Sequence, residues 1–265
     1  MIIHQPGMPP SGLEMPAYID HEGAQLYVVH HQPDQVVKGV VVLAGPMSAE
    51  RSTAYLSWVR WARTLGHNGF ACYRFDYRGV GESSGAFVEQ SFATWADDLQ
   101  AVVDLAGRHH PAAPILVNGL RLGALLAQGL SGVSGLLAWD PPASGSAMLA
   151  DILRRKLAAD CLGHLGGRKT REAYEEEIWA GGRVDVEGYP WTDRLWRSAE
   201  EFAFGPTLPF RALYLDGRPA ERLPDGERSE SVRIPRPPFW LSSSVLVPDL
   251  TELFKRSIGL LGDWR

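Results

Sequence analysis

The sequence predicts a doubly wound α/β sheet, and three observations carry that expectation. Apolar β-branched runs of strand length recur along the chain, helix-length segments separate them, and 265 residues with 45% hydrophobic content are enough to bury one large core. Lys38 to Ala44, K-G-V-V-V-L-A, is a continuous apolar run of the kind buried on both faces of a parallel sheet. Ser52 can cap a helix through Trp58 and Trp61 to about Leu65, His67-Asn68-Gly69 breaks it, and Phe70 to Phe75 reads as the next buried strand. Strand, helix, strand implies a right-handed parallel crossover. The unit repeats: Gly79, Gly81 and Gly85 make a loop, Ser91 to Ala106 a helix, Ile115 to Asn118 a strand, Leu122 to Leu130 a helix and Leu136 to Trp139 a strand. Ala24 to His31 alternates more loosely.

From about 144 to 205 the pattern turns helical with no credible strand, over Met148 to Ala159, Arg171 to Ala180 and Thr192 to Phe204. We therefore expect one domain over residues 1–265 with a small helical cap inserted at about 144–205, above the carboxyl ends of the strands. Strand signals return at Arg211 to Leu215 and weakly around Val232 to Trp240, where five prolines between Pro219 and Pro238 interrupt them. A last helix, Asp249 to Leu261, follows Pro248.

Composition narrows the function classes. The net charge of −5 carries no Lys/Arg block, which argues against a nucleic-acid partner. Cys72 and Cys161 are too few for a disulfide framework, so a reducing cytoplasm is expected. No apolar run approaches the roughly 20 residues of a membrane span, and residues 1–16 lack the basic and apolar regions of a signal peptide. The His30-His31 and His109-His110 pairs have no carboxylate or Cys at ligand spacing, so neither a metal site nor any other cofactor is expected.

Three segments resemble the α/β-hydrolase superfamily: the glycine-bearing turn after Val41 to Ala44, F-D-Y-R-G-V-G-E-S-S-G from Phe75 to Gly85, and G-L-R-L-G from Gly119 to Gly123. The resemblance is closest to the exosortase A system-associated hydrolase 2 group of serine-aminopeptidase-like hydrolases. It rests on G-P-M-S-A-E-R (Gly45 to Arg51), the loop and helix from Phe75 to Leu99, G-L-R-L-G-A-L-L-A (Gly119 to Ala127), A-W-D-P-P-A-S-G (Ala138 to Gly145) and P-P-F-W (Pro237 to Trp240). Such a likeness implies an α/β-hydrolase fold, an arginine at the nucleophile elbow and Phe-Trp where a catalytic histidine would stand, with a place in exopolysaccharide export. Asp140 in the W-D-P segment and the proline-rich 219–238 stretch depart from that group's pattern.

In this fold a strand ends in the tight turn G-x-S-x-G, which lifts a nucleophile onto the start of a helix, followed in the chain by the acid and then the histidine. Here Arg121 stands where the serine belongs. All eight histidines lie at or before residue 164, whereas the base should come from about 236–244. Asp140 and Asp216 both follow strands where the fold places its acid. The oxyanion hole would use the Leu122 N–H and a second donor after Gly45; Pro46 has none, and Met47 serves only from a displaced loop. Asp76, Arg78, Ser83, Ser84 and most of the nine tryptophans read as bracing and packing.

Arg121 is different, because an elbow turns its side chain into the cleft at a helix N-terminus. A buried guanidinium needs a carboxylate or an anion, and Glu50, Asp140 and Asp216 are the acids the motif positions supply. The expected function is a non-catalytic homologue that binds an anionic or acyl-bearing small molecule, or a partner protein. Its site would be formed by Arg121, Leu122, Met47, Glu50 and Trp240. The alternatives are an esterase- or thioesterase-type hydrolase with displaced machinery, from Ser242 to Ser244 or an Asp140/Asp216 carboxylate, and a purely structural component of an envelope-polysaccharide pathway.

Overall fold

The structure is a computed structural model and describes residues 1–162, 170–215, 228–241 and 247–264. Its main sheet has eight strands among the described residues. In spatial order they are β1 (Gly12–His21), β2 (Ala24–Pro33), β4 (Phe70–Phe75), β3 (Gly39–Ala44), β5 (Ile115–Leu120), β6 (Gly135–Trp139), β9 (Phe210–Tyr214) and β10 (Ser229–Ser231). From β4 to β10 every neighbouring pair is parallel; β1 and β2 join antiparallel at one edge. The four expected central strands are thus contiguous in the middle of the sheet. β3 and β5 are buried at every position, which is why their sequence shows no alternation.

Residue parity sorts the core into two faces. Val41, Leu43, Leu116, Leu137 and Trp139 pack under α1 (Ser48–His67) and α7 (Thr251–Gly262), with Trp61 and Phe254 filling the layer. Val40, Val42, Val117 and Ala138 pack under α2 (Phe92–His109) and α3 (Leu122–Leu126). Trp61 Nε1 donates to Asn118 Oδ1 at 2.7 Å and Trp139 Nε1 to Ser257 Oγ at 3.0 Å, so both buried indoles are satisfied as packing groups.

Several local expectations are corrected. Ser52 lies inside α1: the chain enters the helix right after the extended Met47, with Arg51 N–H already bonded to the Met47 carbonyl. Between β6 and β9 run α4 (Gly145–Leu162), α5 (Arg171–Trp179) and α6 (Asp193–Ala199), but also a hairpin of β7 (Val184–Val186) and β8 (Tyr189–Trp191). Glu187 and Gly188 both take positive φ, 56° and 86°, as a two-residue hairpin turn of matching twist requires. Three-residue strands around Glu-Gly give almost no periodicity, so the sequence hides them. The strand expected around Val232 to Trp240 is instead β10, three residues earlier, because Pro235, Pro237 and Pro238 remove backbone donors.

Candidate functional site

The G-L-R-L-G segment forms a strained turn at the top of β5. Arg121 has φ 55° and ψ −110°, its N–H donates to the Trp139 carbonyl at 3.0 Å, and α3 starts at the next residue. The flanking glycines are required by contact: a Cβ on Gly123 would lie 2.0 Å from the Ala44 carbonyl oxygen, and one on Gly119 2.5 Å from the Ala124 nitrogen.

The Arg121 side chain is only 10% exposed and faces three carboxylates: Asp151 Oδ2 at 3.3 Å, Glu50 Oε1 at 3.5 Å and Asp140 Oδ2 at 3.5 Å. Burial opposes its charge, and Glu50, Asp140 and Asp151 together outweigh that, holding the guanidinium above its ordinary range. Glu50, in the first turn of α1, is 1% exposed and accepts from Arg155 Nη2 at 2.6 Å. Arg155 and Arg154 also pair with Asp151. The cluster therefore joins α1, the elbow, the end of β6 and α4. At the β7–β8 turn, burial raises the pKa of Glu187 against the pull of Arg155, and Glu50 raises it further.

Of the expected residues, the structure brings together Arg121, Glu50 and Asp140. Asp140 has φ 45° and accepts from the Leu215 N–H at 3.4 Å, so it also fastens the end of β9. Leu122 and Met47 are buried in the core on the α2/α3 face. Trp240 is 4% exposed and packs edge-on against Phe239, 5.0 Å between rings, in the core of the opposite face. Asp216 and Ser242 to Ser244 lie outside the described residues.

Asp151 and Arg155 were missed. Their only sequence signal is an acid followed at i+3 and i+4 by arginines, which every solvated helix face can show. Ser48 was missed as well: it is buried with φ 52°, and its hydroxyl has no hydrogen-bond partner among the described residues.

The described histidines stand away from the elbow. His67, His109 and His110 close α1 and α2 at the other end of the sheet, His4 stacks on His67, and His30 and His31 lie within β2. His21 ends β1, four strands from β5, about 19 Å at ordinary strand spacing. Among the described residues no group of three or more His, Cys, Asp or Glu could hold a metal ion, and no helix is long and apolar enough to cross a membrane.

The loop after β4 braces as expected. Arg51 grips Asp76 through Nε at 2.9 Å and Nη2 at 2.7 Å, Asp76 Oδ2 accepts from the Glu82 N–H at 3.0 Å, and Arg78 pairs with the buried Asp98. Ser83 and Ser84 each accept from a β2 backbone N–H, those of Tyr27 and Gln25, both at 2.8 Å.

Comparison with known proteins agrees with this architecture. The family model described as serine aminopeptidase, S33, matches residues 37–133. The mitochondrial palmitoyl-protein thioesterase ABHD10 of Homo sapiens is 35% identical over 66 residues, 25% of this chain and 21% of that protein, so the match spans about a fifth of the relative's length. Est1E from Butyrivibrio proteoclasticus with bound ferulic acid superposes with TM-score 0.65 at 19% identity, covering 94% of this chain and 98% of that one. Mouse ABHD10 superposes with TM-score 0.60 at 15% identity, covering 95% of this chain and 100% of that one. The chain has the α/β-hydrolase fold, with a mostly parallel central sheet flanked by helices.

Proposed function

We propose that this protein is an α/β-hydrolase homologue without serine-hydrolase chemistry, acting by binding an anionic or acyl-bearing small molecule or a protein partner. One observation carries the reading: the elbow that would present a nucleophile presents Arg121, already ringed by Glu50, Asp140 and Asp151 within 3.5 Å. A serine hydrolase needs a nucleophile, a base bonded to it and a group orienting the base. Here a guanidinium fills the first place, and no described histidine stands near enough for the second. An anion reaching Arg121 has to displace one of three carboxylates, so on this reading the 144–205 segment closes the old site as a cap, with Asp151 and Arg155 of α4 as its latch. The resemblance to exosortase-associated proteins supports a cytoplasmic role in an exopolysaccharide pathway.

The second reading, a hydrolase with displaced residues, draws support from the thioesterase named among the relatives. Labelling with a fluorophosphonate probe, with turnover of short p-nitrophenyl esters, separates the two. The wild-type protein and Arg121→Ser are both expected to give neither labelling nor turnover. Turnover that survives Arg121→Ala and is lost on replacing one named Ser or Asp would establish the displaced-site hydrolase.

A further inference from the structure

A second concavity lies on the other side of the Gly45-Pro46 turn, between the N-terminal half of α1 and the end of β4. Trp58, Phe75 and Tyr77, all buried, form its walls, and Tyr55 and Arg74 reach it from the rim. Its enclosed volume is about 30 Å³. One water needs about 10–15 Å³ by the same measure, so the cleft takes a slim chain end and no ring.

The rim is cationic. Arg51 is held by Asp76 and Arg63 by Glu14. Arg74 donates to His31 Nε2 at 3.1 Å and lies 3.4 Å from the Tyr55 hydroxyl, and among the described residues it has no carboxylate within 4.0 Å. Because Arg74 Nε can only donate, His31 Nε2 must accept, which places the ring proton on Nδ1, 3.3 Å from Glu14 Oε1, and leaves the imidazole neutral. Burial, then Arg74, lower the His31 pKa to about 4, in keeping with that tautomer. Three guanidinium groups therefore meet two carboxylates, and the surplus charge is on Arg74. Both Arg51 and Arg74 lie over the Tyr55 ring, 5.9 and 5.5 Å from its centroid, which fixes the mouth of the cleft.

We infer that this cleft binds a short, unbranched aliphatic carboxylate, its chain end among Trp58, Phe75 and Tyr77 and its carboxylate on the Arg74 guanidinium. An apolar slot with one convergent polar group is the ordinary form of a small-molecule site, and a guanidinium matches a carboxylate with two parallel hydrogen bonds. This site is separate from Arg121 and does not depend on what happened to the nucleophile.

Titration calorimetry with butyrate tests it. Saturable binding is expected near 1 mM, about what six heavy atoms supply. The Arg74→Gln variant should bind at least tenfold more weakly while keeping the native circular dichroism spectrum, since Arg74 is half-buried at the rim and the glutamine amide can still donate to the buried His31 Nε2. Val59→Phe, which narrows the cleft from a half-buried position, should abolish binding, while benzoate and the neutral butanamide should bind at least tenfold more weakly than butyrate. Arg121→Ala should leave butyrate binding unchanged. Absence of saturable butyrate binding by about 10 mM, equal binding by Arg74→Gln, or loss of binding in Arg121→Ala would each overturn the assignment.

Discussion

Replacing Glu50 by Gln tests whether the ion cluster at the elbow holds the structure together. The two side chains have nearly the same shape, so no cavity opens and the perturbation is the lost charge. Glu50 is 1% exposed, accepts from Arg155 at 2.6 Å and faces Arg121 at 3.5 Å. Breaking a buried pair by removing one partner costs about 3–5 kcal/mol, because the other charge is left uncompensated. Arg121 keeps Asp140 and Asp151, and Arg155 is 24% exposed and keeps Asp151, so part of that cost is avoided. The expected loss is about 2–3 kcal/mol, or roughly 5–10 °C in the unfolding midpoint of a domain of this size. Urea unfolding at pH 7 measures it, with the denaturant slope unchanged. A cycle with Arg155→Met should give a coupling of at least about 1 kcal/mol that high salt reduces only in part, since the Glu50 carboxylate is buried. A loss below about 1 kcal/mol with no coupling would refute the reasoning, and with it the view of this cluster as a latch between α1, the elbow and α4.

Glycine packing and histidine burial each give a further expected outcome. Gly123→Ala should cost more than about 4 kcal/mol or prevent folding, because its Cβ meets the Ala44 backbone at 2.0 Å, whereas Gly129→Ala, with nothing within 4 Å, should stay within about 0.5 kcal/mol; similar midpoints for the two would contradict the close packing of α3 on β3. Stability should fall as pH drops from about 6.5 to about 4, since His31 and His30 keep neutral rings in the fold down to about 4 while the unfolded chain protonates near 6.5. Burial dominates both shifts, followed by Arg74 for His31 and by His110 for His30. Above 6.5 the contribution is complete. The buried His31 alone accounts for about 1 kcal/mol per pH unit inside that window, so urea midpoints at pH 7.0 and 5.0 should differ in the wild type and differ less in His31→Gln.

The central sheet was legible because burial on both faces removes the need for alternation: Val40 to Leu43 read as a strand on composition alone. The elbow was legible because Gly119 and Gly123 answer to hard contacts one can anticipate from the turn. What stayed hidden depends on partners distant in sequence. The fit of Asp151 against Arg121 is set by how α4 crosses the top of β5, thirty positions earlier in the chain, and nothing in A-D-I-L-R-R announces it. The strand β1 was missed because it is an exposed edge with Pro16 inside it, so its pairing with β2 rather than its own pattern makes it a strand. Tryptophans divided as their surroundings dictate: Trp61 and Trp139 found buried acceptors, while Trp240, expected as a wall of the elbow cleft, packs edge-on against Phe239 in the core under α1 and α7.

The G-x-x-x-G frame around Arg121 has a cause in packing. Gly119 and Gly123 are fixed by the approach of α3 to β3 and β5, so the packing needs both whichever side chain stands between them. The central residue has no such freedom of backbone either: at φ 55° and ψ −110° it sits in a sparsely populated region that costs about 1–3 kcal/mol for any residue bearing a Cβ. A serine there leaves that strain as part of a mechanism. An arginine there sends a long side chain from the same strained point to Glu50, Asp140 and Asp151, on three different elements, and their charge-assisted contacts offset the strain. An elbow glycine motif is therefore evidence for a packing geometry, and only the side chain it lifts, with what that side chain touches, is evidence for a reaction.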